Sequence, residues 1–248
     1  MMSGRPAAIL CNTFFGANRG SLALPVKSRI EGLSDDHEPK PSCLFDLALL
    51  FREVGNWVEC KRLLTDTSKL WRERGSDLHV AQALRFLADV NRLVELYGEG
   101  TQQAEEALRI YEKLGDTLMQ AECLNTLGSS FFSKNQLDAA EEAVSRVTNY
   151  LANTGGRFRL CESHNILGDI YSSKGETEKA ISHREVALRI ASPFSWHDIL
   201  FWLHYGLAAL SRNGGGLEDT QSHIERIKPH VIDSTYNLGR VMIDEPAG

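Results

Sequence analysis

The sequence is poor in the features that define several protein classes. Its 248 residues include only five cysteines and seven prolines, and no two cysteines form a CxxC pair. This odd, scattered set of thiols argues against a disulfide framework and predicts reduced cysteines in the cytoplasm. No apolar run approaches the ~20 residues of a membrane-spanning helix. The chain has 27 basic and 33 acidic residues mixed along its length, so it lacks the basic cluster of a nucleic-acid-binding surface.

Catalytic and cofactor-binding motifs are also lacking. The chain contains no GxxxxGK[ST] phosphate loop, no HExxH metal motif and no GxSxG nucleophile motif. We therefore expect no enzyme activity, no cofactor and no bound metal. Residues 5–16 loosely resemble a secretory signal peptide, but Asn12 and Thr13 interrupt its apolar core, which favours a cytoplasmic location.

An internal repeat is the strongest signal that the sequence does contain. A Leu-Ala or Leu-Gly pair recurs every 40 residues, at Leu47-Ala48, Leu87-Ala88, Leu127-Gly128, Leu167-Gly168 and Leu207-Ala208. Chance does not place five such pairs in one register. Glycines recur in the same frame at Gly75, Gly115 and Gly155, and another set falls at Gly55, Gly175 and Gly215. A fixed period of this length is typical of a repeat protein.

Each 40-residue unit is predicted to form two helices. In the unit 161–200, Leu167, Gly168 and Tyr171 follow the 3.6-residue spacing of a buried helix face. Gly175 suits the left-handed residue that ends a helix, and Pro193 blocks continuation of the second helix. A single helix pair cannot bury both of its apolar faces, so the units are expected to stack on one another.

Residues 121–190 resemble tetratricopeptide (TPR) repeats. The matching positions are Leu127, Gly128, Phe131 and Ala140, then Leu167, Gly168, Tyr171, Gly175, Ala180 and Ala187. The period of 40 is similar to that of the long-repeat arrays of kinesin light chains, spindle-orientation adaptors and fungal signalling ATPases of the NB-ARC/NACHT-like type. The resemblance implies an all-α fold, a right-handed superhelical solenoid of helix-turn-helix repeats.

The predicted domain organisation follows this period. Residues 1–40 are expected to be irregular or disordered, and residues 41–231 are expected to form a five-repeat TPR-like domain. Its repeats are 41–80, 81–120, 121–160, 161–200 and 201–231. The tail 232–248 could begin a further helix. Gly98 and Gly100 are expected to fray the start of the second helix in the second repeat.

The first helices of such an array line a concave groove, and two groups of residues are candidates for binding a peptide there. Asn125 and Asn165 share one repeat position, and the resemblance implies that their amides bind the backbone of an extended peptide. Arg52, Arg85 and Arg92 form a cationic group that favours acidic side chains or a carboxylate. The alternative is that all five are ordinary solvated residues without a ligand.

Two further features of the sequence allow more than one interpretation. Cys161 and His164 are three residues apart, and His204 holds the position of His164 in the next repeat, which suggests a zinc site. A core histidine is the favoured interpretation, because leucines occupy this position in the earlier repeats. Trp202 is predicted to point outward, either to contact a partner or to be covered by the segment after Ile232.

The function predicted from these patterns is a protein–protein interaction scaffold that binds an extended, acidic peptide segment in its groove. The alternative is the sensor or regulatory segment of a larger signalling ATPase that acts within one chain. We expect a protein or peptide partner, no nucleic acid and no membrane, and a monomer or a fragment of a larger multidomain protein.

Overall fold

Two helices occupy each 40-residue period of the chain. The computed structural model describes residues 27–34, 40–151, 156–194, 196–214 and 216–233. After a short helical segment at 27–31, the first five helices are α1 (Lys40–Glu53), α2 (Trp57–Glu73), α3 (Asp77–Leu93), α4 (Tyr97–Leu114) and α5 (Thr117–Ser133). They are followed by α6 (Leu137–Leu151), α7 (Arg157–Ser173), α8 (Thr177–Ala191), α9 (His197–Asn213) and α10 (Leu217–Asp233).

Left-handed residues recur at 20-residue intervals and end the helices. Positive φ angles occur at Gly55, Gly75, Glu95, Gly115, Asn135 and Gly175. At each of these six turns the backbone N–H of the following residue bonds to the carbonyl five residues earlier, for example from Asn56 to Phe51, from Leu96 to Asn91 and from Glu176 to Tyr171. This bond satisfies a carbonyl that the helix end leaves free, and a left-handed residue makes it geometrically possible. Gly175 therefore ends its helix as predicted, and Gly55, Gly75 and Gly115 have the same left-handed conformation, whereas Gly155 and Gly215 lie outside the described residues.

The apolar positions of the repeat are buried. In α1, the residues at the predicted core positions are Leu44, Leu47, Ala48 and Phe51, and all four are buried. Their 3.6-residue spacing places them on one side of the helix, where they contact α2. Helix α4 begins at Tyr97 and contains both glycines that were expected to fray it. A Cβ on Gly100 would lie 3.0 Å from the carbonyl oxygen of Ala88, so glycine permits close packing of α3 and α4.

The chain divides into two units, Met1–Ser130 and Phe131–Gly248. In the first unit, Leu47, Leu63, Leu64 and Val90 belong to one core formed by α1, α2 and α3, and α4 packs on α3. The buried Ile30 of the segment 27–31 joins this core.

In the second unit, consecutive helices from α6 to α10 pack on one another. One core contains Val144, Leu167 and Ile170, and another contains Cys161 and Leu203. Each core combines residues from more than one helix, as in other stacked repeats.

The predicted all-α fold of helix-turn-helix repeats is confirmed. The repeat boundaries predicted between residues 41 and 231 stay predictions, and the division of the chain into two units falls inside α5. Most of the amino-terminal segment, 1–26 and 35–39, lies outside the described residues, as does the tail after residue 233. None of the helices in the described part of the chain combines the length and apolarity that a membrane crossing requires.

Candidate functional site

A cluster of aromatic and cationic side chains lies on the first helices of the first unit. The rings of Phe45 on α1 and Phe86 on α3 meet edge to face, with centroids 5.4 Å apart. The guanidinium carbon of Arg52 lies 5.3 Å from the centroid of Phe86, and that of Arg85 lies 4.0 Å from it. The structure therefore brings two of the three predicted arginines onto one aromatic ring, in positions that favour cation–π attraction.

Arg85 has a carboxylate partner that the sequence did not reveal. Its Nη1 lies 2.7 Å from Oε2 of Glu122 on α5, and the two side chains are only 14% and 10% exposed. Because water is largely excluded, this ion pair is screened less than a surface pair. An acidic ligand would therefore compete with Glu122 for Arg85.

The other two arginines differ from each other. Nη2 of Arg92 lies 3.3 Å from Oδ1 of Asp89, one helical turn earlier on α3. Arg52 is half-buried, and the described part of the chain shows no carboxylate within ion-pair distance of it. Of the three predicted arginines, Arg52 keeps the most uncompensated charge.

Asn125 lies on α5 in the first unit and is buried, with 6% of its surface exposed. Every residue of α5 from Ala121 to Gly128 is buried, including the polar side chains on the predicted groove face. A peptide could reach the amide of Asn125 only after a neighbouring side chain moved.

Asn165 lies on α7 in the second unit and is half-buried. Nη1 of Arg184 donates a hydrogen bond to its Oδ1 at 3.1 Å, and Nη2 of Arg184 donates to Oδ1 of Asp169 at 2.5 Å. Arg184 comes from α8, so a second helix supplies the partner of two residues on the first.

Sequence reasoning did not identify Arg184, although a comparison of the repeats shows that it stands at an otherwise apolar position. The same position holds an apolar residue in the other repeats, namely Leu64, Ala104, Val144 and Ile224. A Cβ at Gly168 would lie 2.7 Å from Cγ of Arg184 and 3.4 Å from the carbonyl oxygen of Ala180, so the glycine makes room chiefly for the arginine.

Histidines meet in pairs between the two helices of the last repeats. Nδ1 of His164 lies 2.9 Å from Nδ1 of His183, and Nδ1 of His204 lies 3.1 Å from Nδ1 of His223. Burial, and after it the neighbouring histidine, lowers the pKa of His164 and of His204 to about 4. At neutral pH these rings are therefore uncharged, and one nitrogen of each pair can donate its proton to the other.

The residues considered for zinc have other partners. The thiol of Cys161 donates to the carbonyl oxygen of Ala187 at 3.3 Å, and His164 faces His183. Burial raises the pKa of Cys161 and of Cys123 to about 12, which disfavours a thiolate ligand or nucleophile. Within the described ranges, no group of three or more His, Cys, Asp or Glu side chains is arranged to bind a metal ion.

Trp202 and Tyr205 form an exposed aromatic pair on α9. They are 36% and 42% exposed, and their rings meet edge to face with centroids 5.9 Å apart. Trp202 is thus outward-facing, as predicted, and Tyr205 occupies the position that Asn165 holds in the preceding repeat.

No protein-family model and no curated protein matches the sequence. Solved structures do match the fold. BtubC (BKLC) from P. vanneervenii has a TM-score of 0.70 and 17% identity, over 94% of this chain and 95% of that chain. Kinesin light chain TPR-like repeats from Podosopora anserina have a TM-score of 0.61 and 17% identity, over 80% of this chain and 98% of that chain. NprR in complex with its cognate peptide NprX has a TM-score of 0.73 and 15% identity, over 90% of this chain and 64% of that chain. These similarities, together with the helix pairs described above, show that the chain has the TPR-like helical repeat fold.

Proposed function

We propose that the chain is a scaffold that binds an extended peptide segment through the first helices of its repeats. The residues proposed to contact the peptide are Arg52, Arg85, Arg92 and Asn125 in the first unit, and Asn165 in the second. The similarity to NprR, whose structure holds a cognate peptide, supports this class of function for the fold.

The observation that best supports the proposal is a surface formed by α1 and α3. On this surface Arg52 lies over the ring of Phe86, which contacts Phe45. Half-buried aromatic rings offer apolar surface to a ligand. Among the described residues Arg52 has no carboxylate partner, so its five N–H donors are available to a ligand. The charge supports an acidic peptide, with Arg52 as the first contact for its carboxylate. Arg85 and Arg92 contribute after exchanging Glu122 and Asp89 for the ligand.

The amides are proposed to bind the peptide backbone rather than its side chains. An asparagine amide offers one acceptor and two donors, which match the N–H and C=O groups of an extended chain. Asn165 is half-buried and is proposed to bind directly, whereas Asn125 requires a local rearrangement before it can do so. No structural observation favours the alternative, a regulatory segment of a larger signalling ATPase.

Peptide selection tests the proposal. The intact chain would be used to select peptides from a displayed library of random sequences, and affinities of the selected peptides would be measured by fluorescence anisotropy. We expect Arg52→Ala to weaken an acidic peptide about fivefold, because a hydrogen bond to a charged group contributes on the order of 1 kcal/mol or more. We also expect the variant to flatten the dependence of affinity on salt.

The matched control is Arg109→Ala, which removes the same charge from an exposed position on the second helix α4. This variant should bind within about twofold of the parent. Failure of the chain to enrich any peptide would refute the proposed function. Equal effects of the two substitutions would refute the assignment of the site.

A further inference from the structure

Arg184 occupies a core position of the repeat with a charged side chain. The side chain is only 6% exposed, yet the other repeats place leucine, alanine, valine or isoleucine at this position. A buried cation is tolerated only when hydrogen-bonding partners replace the water that it loses. Its partners, Asn165 and Asp169, both lie on α7 at the predicted groove face.

A second departure from the repeat pattern makes room for Arg184. Gly206 on α9 stands where the other repeats have Asp46, Phe86, Thr126 and Ile166. A Cβ at Gly206 would lie 2.0 Å from Nη1 of Arg184 and 2.3 Å from its Cζ. The guanidinium therefore fills the space that a side chain at position 206 would occupy. Arg184 and Gly206 depart from the repeat pattern together and are in contact, which indicates that the two departures belong to one structural feature.

The chemistry of arginine determines how Asn165 is oriented. A guanidinium group only donates hydrogen bonds, so the Asn165 atom that faces Arg184 must be the carbonyl Oδ1. The amide nitrogen Nδ2 is consequently turned away from Arg184, and it has no hydrogen-bond partner among the described residues. Asp169 is held through Oδ1, while its side chain remains 41% exposed.

We infer that Arg184 is a positioning residue that sets Asn165 as a donor and Asp169 as an acceptor for the main chain of a bound peptide. This inference rests on the proposed function and names what that site recognises in the second unit. Nδ2 of Asn165 donates to a peptide carbonyl, and Oδ2 of Asp169 accepts from a peptide N–H. The ligand class is the backbone of an extended peptide rather than a free carboxylate, which Asp169 repels.

The spacing of the two groups fits this ligand. Residues four apart on a helix have Cβ atoms about 5–6 Å apart. An extended chain advances about 3.3 Å per residue, and every second residue directs its N–H and C=O to the same side, which gives a repeat of roughly 6.6 Å. Asn165 and Asp169 can therefore contact neighbouring amides on one side of the peptide.

Backbone ester analogues test this inference. The probe is a 12-residue peptide selected by the parent chain, together with analogues in which each backbone N–H is replaced in turn by an ester oxygen. An ester removes one donor and leaves the side chains unchanged. We expect one analogue to bind the parent chain about tenfold more weakly, because Asp169 loses the N–H that it accepts.

The ratio of the dissociation constant of this ester analogue to that of the parent peptide is thus expected to be about ten for the parent chain. The positioning role predicts how this ratio changes when residues are substituted. In an Arg184→Met/Gly206→Ala variant, whose new methyl group occupies the vacated space, the ratio should fall below about twofold. Arg189→Met, an exposed arginine on the same helix, should keep the parent ratio. A loss of general stability would weaken all analogues alike and leave the ratio unchanged, so the ratio separates positioning from folding.

A second variant covers the case in which the first does not fold. Asp169→Asn retains a carbonyl for Arg184 but presents an amide nitrogen in place of the acceptor, so it should also abolish the tenfold ratio. A folded Arg184→Met/Gly206→Ala variant or an Asp169→Asn variant that keeps the parent ratio overturns the inference. Failure of the parent chain to select any peptide instead refutes the proposed function.

Discussion

Replacing Gly206 with alanine should destabilise the second unit, because Arg184 occupies the space that the new methyl group needs. The Cβ of an alanine there would lie 2.0 Å from Nη1, 2.3 Å from Cζ and 2.8 Å from Nε of Arg184. All three separations are far shorter than a van der Waals contact. The arginine must therefore move and give up its bonds to Asn165 and Asp169.

The magnitude follows from these two bonds. A hydrogen bond that involves a charged group contributes about 1.5–3 kcal/mol, and leaving a buried donor unpaired costs a similar amount. Alanine in the interior of a helix is more stable than glycine by about 1 kcal/mol, which offsets part of the loss. We expect Gly206→Ala to lower the free energy of unfolding by about 2–4 kcal/mol.

The sign of the effect should reverse when Arg184 is absent. In an Arg184→Ala background the methyl group meets no guanidinium, so Gly206→Ala should raise the free energy of unfolding by about 0.5–1 kcal/mol. The coupling energy between the two positions would then be about 2.5–5 kcal/mol, which is large for a pair in direct contact. Urea unfolding of the four chains, followed by circular dichroism, measures it.

Two results would refute this reasoning. The first is a loss below about 0.5 kcal/mol when Gly206→Ala is introduced into the parent chain, which would mean that Arg184 relocates without cost. The second is an equal loss in both backgrounds, which would mean that the glycine is required by something other than the arginine.

Three further predictions concern other parts of the chain. The pKa of His204 is lowered from 6.5 to about 4, so its contribution to stability, about 3 kcal/mol, is present above pH 6.5 and is lost as the pH falls towards 4. A His204→Leu/His223→Leu variant, which has the leucine pair of the first repeat at these positions, should therefore lose less stability than the parent between pH 7 and pH 4 in urea titrations. Glu95→Gly should raise the free energy of unfolding by about 0.5–1 kcal/mol, because Glu95 has a φ of 62° at the turn position where the first and fourth repeats have Gly55 and Gly175. An unchanged or lowered midpoint of urea unfolding would contradict this prediction. The buried thiols of Cys123 and Cys161, with pKa values of about 12, should resist alkylation at pH 8 in the folded chain and react in urea, as mass spectrometry of the labelled peptides would show.

The helices and their ends could be predicted because their signals are local. The 40-residue period of Leu-Ala and Leu-Gly pairs, the 3.6-residue spacing of residues such as Leu44, Leu47 and Phe51, and the glycines at turn positions all act within one helix or one turn. The left-handed Glu95 is instructive, because the 20-residue interval between turns places a helix end there although the residue type does not.

The candidate site was predicted only in part, because the positions of side chains on a helix surface do not show what faces them. The repeat register placed Arg85 and Asn125 on the predicted groove face, and the sequence treated both as open to a ligand. The structure instead pairs Arg85 with Glu122 and buries Asn125. Each of these outcomes depends on a neighbouring helix, which a pattern within one helix cannot specify.

Arg184 shows most clearly what the sequence determined by itself and what tertiary structure decided. The sequence determined that position 184 is a core position, that Gly206 lacks a side chain and that Asn165 shares the register of Asn125. Only the packing of α8 between α7 and α9 joins these facts, since it directs the guanidinium through the space at Gly206 to the carbonyl of Asn165 and the carboxylate of Asp169. Helical periodicity arises from bonds between residues three or four apart, whereas these contacts join residues 15 to 22 positions apart, and only the stacked helices bring such residues within hydrogen-bonding distance.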